Sequence, residues 1–242
     1  SGLLISLLVS VVIYLNYFDT FWYPPDEGIY AHAAERVLNG EILNLDVQDI
    51  HFGYITLINA AALKGLGTDL VSLRYPLVFI GVLQALLIFL LFNGRGVLVA
   101  VTASVSLSSI SIVQFLNPSA NWYALFLTLC TITVTALWHR DNRARLATLG
   151  FLAVMVLFTR QLSGIFVIIG LLTYLLCENR EDTVSTDRIL ARLCILVMAA
   201  GIAWYAYTQA DLLTTLVFCI WPLGLLCWAC ACWPPWQAGR FP

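Results

Sequence analysis

The stretch RYPLVFIGVLQALLIFLLF, residues 74–92, decides the fold. After Arg74 it runs to Phe92 without a charged side chain, and Gln84 is its one amide. About twenty such residues, wound as a helix, cross a hydrocarbon core of about 30 Å. Comparable runs recur at 2–18, 97–115, 122–138, 146–159, 164–177, 189–207 and 212–232. With 74–92 they make about eight spans. The links at 93–96, 117–121, 139–145, 159–163 and 178–188 are short, which makes successive spans antiparallel neighbours.

Composition agrees. Of the 242 residues, 61% are hydrophobic and 11% charged, against roughly 25% charged in an average soluble domain. A soluble fold of this length has too little interior for so much apolar surface. The expected class is an all-α, polytopic transmembrane helix bundle whose solvent is the lipid bilayer. The net charge of −2 argues against a nucleic-acid partner, which requires a basic surface. The first run has no small-residue cleavage site and is expected to be a retained anchor.

Seven cysteines are present, most of them inside apolar runs, where Cys packs as a small hydrophobe. Cys227, Cys230 and Cys232 have a metal-like spacing but lack a nearby His or acidic fourth ligand, and they read as packing. The tryptophans mostly flank spans, as interfacial anchors do.

One long hydrophilic stretch interrupts the pattern, at 19–51. It holds Asp26, Glu27, Glu35, Glu41, Asp46 and Asp49. Within it Tyr30, Ala33, Ala34, Val37 and Leu38 recur at helical spacing, with Glu35 and Arg36 opposite, and Asn39-Gly40 ends the pattern. This predicts a short amphipathic helix on the membrane surface. Residues 52–66 are apolar but short for a span, and predict an interfacial or re-entrant helix. With the N-terminus cytoplasmic, the inner turns carry Arg95, Arg140, Arg143, Arg145, Arg180, Arg188 and Arg192, while the outer ones keep Arg36, Lys64, Arg74 and Arg160. That asymmetry puts the first loop on the extracytoplasmic face.

The chemistry-bearing segment is Tyr23-Pro24-Pro25-Asp26-Glu27-Gly28-Ile29-Tyr30. Its two carboxylates have two readings. In one, Asp26 is a helix N-cap and Glu27 sits in the first turn, favoured by the helix dipole. In the other, a partly buried carboxylate at the membrane–water boundary is a general base.

The order of features resembles a known family. An apolar anchor is followed by an outward Asp-Glu and a helix bearing Tyr30, Ala34, Leu38 and Gly40. A His-bearing turn comes next, then Leu73-Arg74-Tyr75-Pro76 entering the following span. Together these resemble the C-type (GT-C) integral-membrane glycosyltransferases, in the branch of protein O-mannosyltransferases and aminoarabinose transferases. The resemblance covers the N-terminal transmembrane module, residues 1–180, with further helices at 181–242. It implies transfer of a sugar from a polyprenyl-phosphate donor to an acceptor lipid, glycan or protein of the cell envelope. The active face would be the extracytoplasmic side of a plasma or inner membrane.

The resemblance implies Asp26 as the catalytic acid–base residue and Glu27 as its supporting neighbour. His51, Arg160, Arg74, Tyr30 and Asn121 are the implied substrate-binding residues. Arg160 and Arg74 each have a second reading as interfacial anchors whose guanidinium reaches water. Phe52-Gly53 replaces the two prolines that follow the corresponding position in many relatives. Where relatives carry a second outer acid, this chain has only Asn117 and Asn121, so a divalent-metal mechanism has no support. The competing reading is a non-catalytic or degenerate membrane module that binds a lipid carrier.

Overall fold

In a computed structural model of the chain, the structure describes residues 2–49, 51–113, 116–138 and 143–178, with scattered positions between 193 and 224. Among the described residues the regular secondary structure is helical, apart from an isolated bridge between Leu43 and Val47. The spans expected at 189–207 and 212–232 fall, apart from those scattered positions, outside the described residues. Cys227, Cys230, Cys232, Arg140, Arg180, Arg188 and Arg192 do so as well.

Among the described residues eight continuous α-helices follow one another: α1 (Gly2–Tyr17), α2 (Pro24–Leu38), α3 (Tyr54–Leu66), α4 (Tyr75–Phe92), α5 (Val97–Val113), α6 (Ala120–Leu137), α7 (Arg143–Thr159) and α8 (Gln161–Glu178). Among the described residues each expected helix is present, with ends moved by up to three residues, as at the starts of α7 and α8. Arg74 closes a 3-10 turn, Leu70–Arg74, instead of opening α4. The chain divides into two compact units, Ser1–Gly164 and Ile165–Pro242. The first holds α1 to α7; of the second, the described continuous part is residues 165–178 of α8.

Small residues let the first unit pack. On α1, Gly2, Ser6 and Ser10 recur every four residues, as Ala100, Ser104 and Ser108 do on α5. Close-packed backbones and interhelical hydroxyl bonds are how helices associate where water exclusion does not drive them. Ser108 Oγ donates to Ser10 Oγ at 2.9 Å and Ser104 Oγ to the Ala85 carbonyl at 2.7 Å. The Ala85–Ser104 bond joins residues equally far from the α4–α5 turn, so this pair is an antiparallel hairpin. Gly2 lies beside Val97 and Ser10 beside Ser108, so α1 and α5 run parallel. Tyr14 lies over Gly81, where an added Cβ would stand 2.4 Å from its ring.

Helix α6 packs on α4 through Gln84, whose amide donates to the Trp122 carbonyl at 3.3 Å, and α7 packs back on α6. Two helices, within Leu70–Arg95 and at Ala120–Leu137, are long and apolar enough to cross a membrane. Only 33% and 28% of those apolar windows are buried inside the fold. A soluble core helix hides most of its surface, whereas these turn Phe79, Leu90, Leu125 and Ile132 outward.

This up-and-down arrangement sorts the connections to two ends. One end gathers residues 18–74, the α5–α6 link and the α7–α8 junction. The other gathers the turn at Asn93–Arg95 and the start of α7. Helices α2 and α3 pack on each other at the first end through Ala31, Ala34, Ala60, Leu63 and Leu73.

Candidate functional site

The first end is built around α2. Its first turn opens on Pro24 and Pro25, whose fixed φ and missing N–H suit the start of a helix. The N-cap position is Tyr23, with no side-chain cap. Asp26 is therefore not the cap that one sequence reading expected. It stands with Glu27 in the first turn, where the helix dipole favours negative charge.

The two carboxylates have different fates. Glu27 points inward, 1% exposed, and forms an ion pair with Arg74, which is itself fully buried. The same guanidinium donates to the carbonyls of Phe18 at 2.6 Å and Thr20 at 2.7 Å, and stacks on the Trp22 ring at 3.7 Å. Those carbonyls come just before Phe21, whose φ of +54° is uncommon for a bulky side chain. Arg74 thus holds the bend between α1 and α2, and it is not an anchor reaching water.

Asp26 points the other way and is half-buried. It accepts from Asn117 Nδ2 at 3.3 Å, and Ser119 Oγ donates to Asn117 Oδ1 at 2.8 Å. One turn along α2, Tyr30 is also half-buried. Burial pushes its hydroxyl above the ordinary value of 10.0, the charges of Asp26 and Asp49 push it further, and Arg160 acts in the opposite direction. Both carboxylates and the guanidinium therefore act on one phenol.

The loop before α3 adds His51. Its backbone N–H donates to Asp49 Oδ1 at 2.7 Å, and Thr56 Oγ1 donates to the other oxygen of that carboxylate. His51 Nδ1 lies 3.0 Å from Gln161 Oε1. An amide oxygen only accepts, so Nδ1 is the donor of this bond and Nε2 is the ring nitrogen it leaves uncommitted. Gly53 caps α3 with a φ of +88°, and a Cβ there would run into Leu43. Proline cannot adopt that φ, which explains physically why this turn carries Gly53. Phe52 packs on Phe158 of α7, with ring centroids 4.8 Å apart.

Arg160 lies at the break between α7 and α8 and is half-buried. Among the described residues its guanidinium forms no ion pair. Immediately after it, Gly164 approaches the Leu157 backbone so closely that an added Cβ would stand 2.2 Å from Leu157 Cα.

The structure thus brings Asp26, Tyr30, His51 and Arg160 to one end, with Glu27 and Arg74 in the wall behind them. Asn121 is exposed in the first turn of α6, and none of these hydrogen bonds reaches it. Sequence reasoning missed the parts played by Asn117, Asp49 and Gln161. Only the place of Asn117 in the second outer link marked it beforehand; nothing local singles out Gln161. Among the described residues, no three His, Cys, Asp or Glu side chains gather as a metal-binding group. No protein-family model, curated protein or solved structure matches the chain.

Proposed function

We propose that this chain is a polytopic membrane glycosyltransferase of about eight spans, acting outside the cytoplasm on a polyprenyl-phosphate sugar. The observation that carries this reading is a half-buried carboxylate and a half-buried guanidinium, without an ion pair among the described residues, acting on the same tyrosine at one end of an apolar bundle. A base and an anion holder, close together beside lipid, are what such a transfer needs from a protein.

In the proposed step the acceptor hydroxyl oxygen attacks the anomeric carbon and its proton passes to Asp26. The bond from that carbon to the phosphate oxygen breaks, and its electron pair leaves with the polyprenyl phosphate. Arg160 holds the phosphate through charge-assisted hydrogen bonds. His51 offers Nε2 toward substrate hydroxyls. Glu27, neutralised by Arg74, fixes the helix turn that presents Asp26. The count of basic residues in the sequence's alternate turns, seven (Arg95, Arg140, Arg143, Arg145, Arg180, Arg188, Arg192) against four (Arg36, Lys64, Arg74, Arg160), supports placing this end outside.

Purified protein supplied with a polyprenyl-phosphate sugar and a hydroxyl acceptor should form product. Asp26→Asn should lower transfer by about 10²–10⁴-fold, the usual worth of a general base. Unchanged transfer in a folded Asp26→Asn variant removes the base from the mechanism. A second reading, a carrier-binding module without catalysis, is favoured by the amide of Asn117 in the link where relatives of the resembled family carry an acid. Binding of the lipid phosphate with no turnover by the intact protein would establish it.

A further inference from the structure

The Asp26 carboxylate does not stand alone, and its holder lies far from it in the chain. Asn117 donates to Asp26 Oδ2 through Nδ2, while its own Oδ1 accepts from Ser119 Oγ. An amide whose oxygen is already engaged presents only N–H groups to the carboxylate, so its orientation is fixed. The link carrying it is fixed in turn. Leu116 and Ser119 are buried, the Ser119 N–H donates to the Asn117 carbonyl at 2.7 Å, and the fully buried Asn59 of α3 donates to the Pro118 carbonyl at 3.3 Å. The α5–α6 link, braced by α3, therefore meets α2 at one carboxylate oxygen.

We propose that Asn117 is a positioning residue for Asp26, held by Ser119 and Asn59, and that its amide keeps the carboxylate aimed. This rests on the glycosyl-transfer reading for its catalytic consequence, but the contact with Asp26 can be tested without it. A hydrogen bond donated to a carboxylate stabilises the charged form, and a neighbouring carboxylate destabilises it. Glu27 is neutralised by Arg74, so it adds little net charge at α2. The charged groups that act with Asp26 on Tyr30 are Asp49 before α3 and Arg160 after α7, and His51 lies two residues beyond Asp49. Among the described residues none of them donates a hydrogen bond to Asp26, so the charge-specific contact is that of Asn117.

The test compares Asn117→Ala and Asn117→Asp with the full-length protein. The first readout is kcat and KM for transfer from a polyprenyl-phosphate sugar. Asn117→Ala should lower kcat about tenfold with KM little changed. Asn117→Asp, which replaces the donor by a like charge, should lower kcat further. The second readout is the infrared carboxylate band that disappears in Asp26→Asn. Its frequency should move in both variants, whether or not the protein turns over. Band shifts without turnover in the unaltered protein would keep the positioning contact and remove the transfer reading. An unmoved band in both variants, or an undiminished kcat in a protein that turns over, would overturn the proposal. Retained helical circular dichroism in both variants separates these outcomes from misfolding.

Discussion

At the scale of single residues, the structure separates two adjacent carboxylates by the direction each faces. Glu27 is committed to Arg74, and removing one member of a fully buried pair strands the other. Arg74→Leu should therefore destabilise the fold by about 3–5 kcal/mol, read as a fall in the thermal midpoint in detergent. The apolar double replacement, Glu27→Leu with Arg74→Met, should recover much of that loss, because neither charge is then left unpaired. Asp26 is free for chemistry because its neighbour has taken the structural duty. The Tyr30 phenol reports the same geometry. Asp26→Asn should lower its titration and Arg160→Gln should raise it, since the first removes a charge that opposes phenolate and the second one that favours it. An ultraviolet pH titration, taken as the difference from Tyr30→Phe, measures both; opposite signs would show that these groups do not share the site.

At the scale of helices, the bundle depends on residues without bulk. Gly81 admits the Tyr14 ring, and the Gly2-Ser6-Ser10 row of α1 meets α4 and α5 closely. Gly81→Val forces a branched side chain into a space filled by a buried ring. It should cost about 1–3 kcal/mol, as overpacking usually does. Pairing it with Tyr14→Ala should recover part of the loss, and thermal unfolding of the single and double variants measures this. The same contact positions the site, since Tyr14 sits one turn below the bend that Arg74 holds. Gly53 is constrained differently, by a left-handed φ that a proline at that position cannot adopt.

At the scale of the whole molecule, alternating helices put every candidate site residue of the described chain at one end and Arg95, Arg143 and Arg145 at the other. The proposed orientation then has a direct consequence. In a variant whose native cysteines are replaced by alanine, Leu45→Cys should react with a membrane-impermeant maleimide from outside intact cells. Arg95→Cys should react only after the membrane is permeabilised. Both positions are exposed, so burial does not confuse the result. The opposite labelling pattern would put Asp26 on the cytoplasmic face and remove an extracytoplasmic acceptor from the proposal.

What could be learned from the chain alone was what local chemistry encodes. Charge-free runs require helices in an apolar surround, Pro24-Pro25 opens α2, and Asn39-Gly40 closes it, each through its own backbone preference. The helix was equally legible from its spacing, but its buried face was only partly so: Ala34 is buried as expected, while Leu38 is exposed and Glu27 and Ala31 fill the face instead. Partnership was not. Glu27 meets Arg74 47 residues away, Asp26 meets Asn117 across 91, and His51 meets Gln161 across 110. No periodicity carries such pairs, since they depend on which helices pack together and on where their ends fall. Only the packing of α1, α4, α5, α6 and α7 decided that Arg74 is buried, that Asn117 faces Asp26 and that Asn121 stands apart.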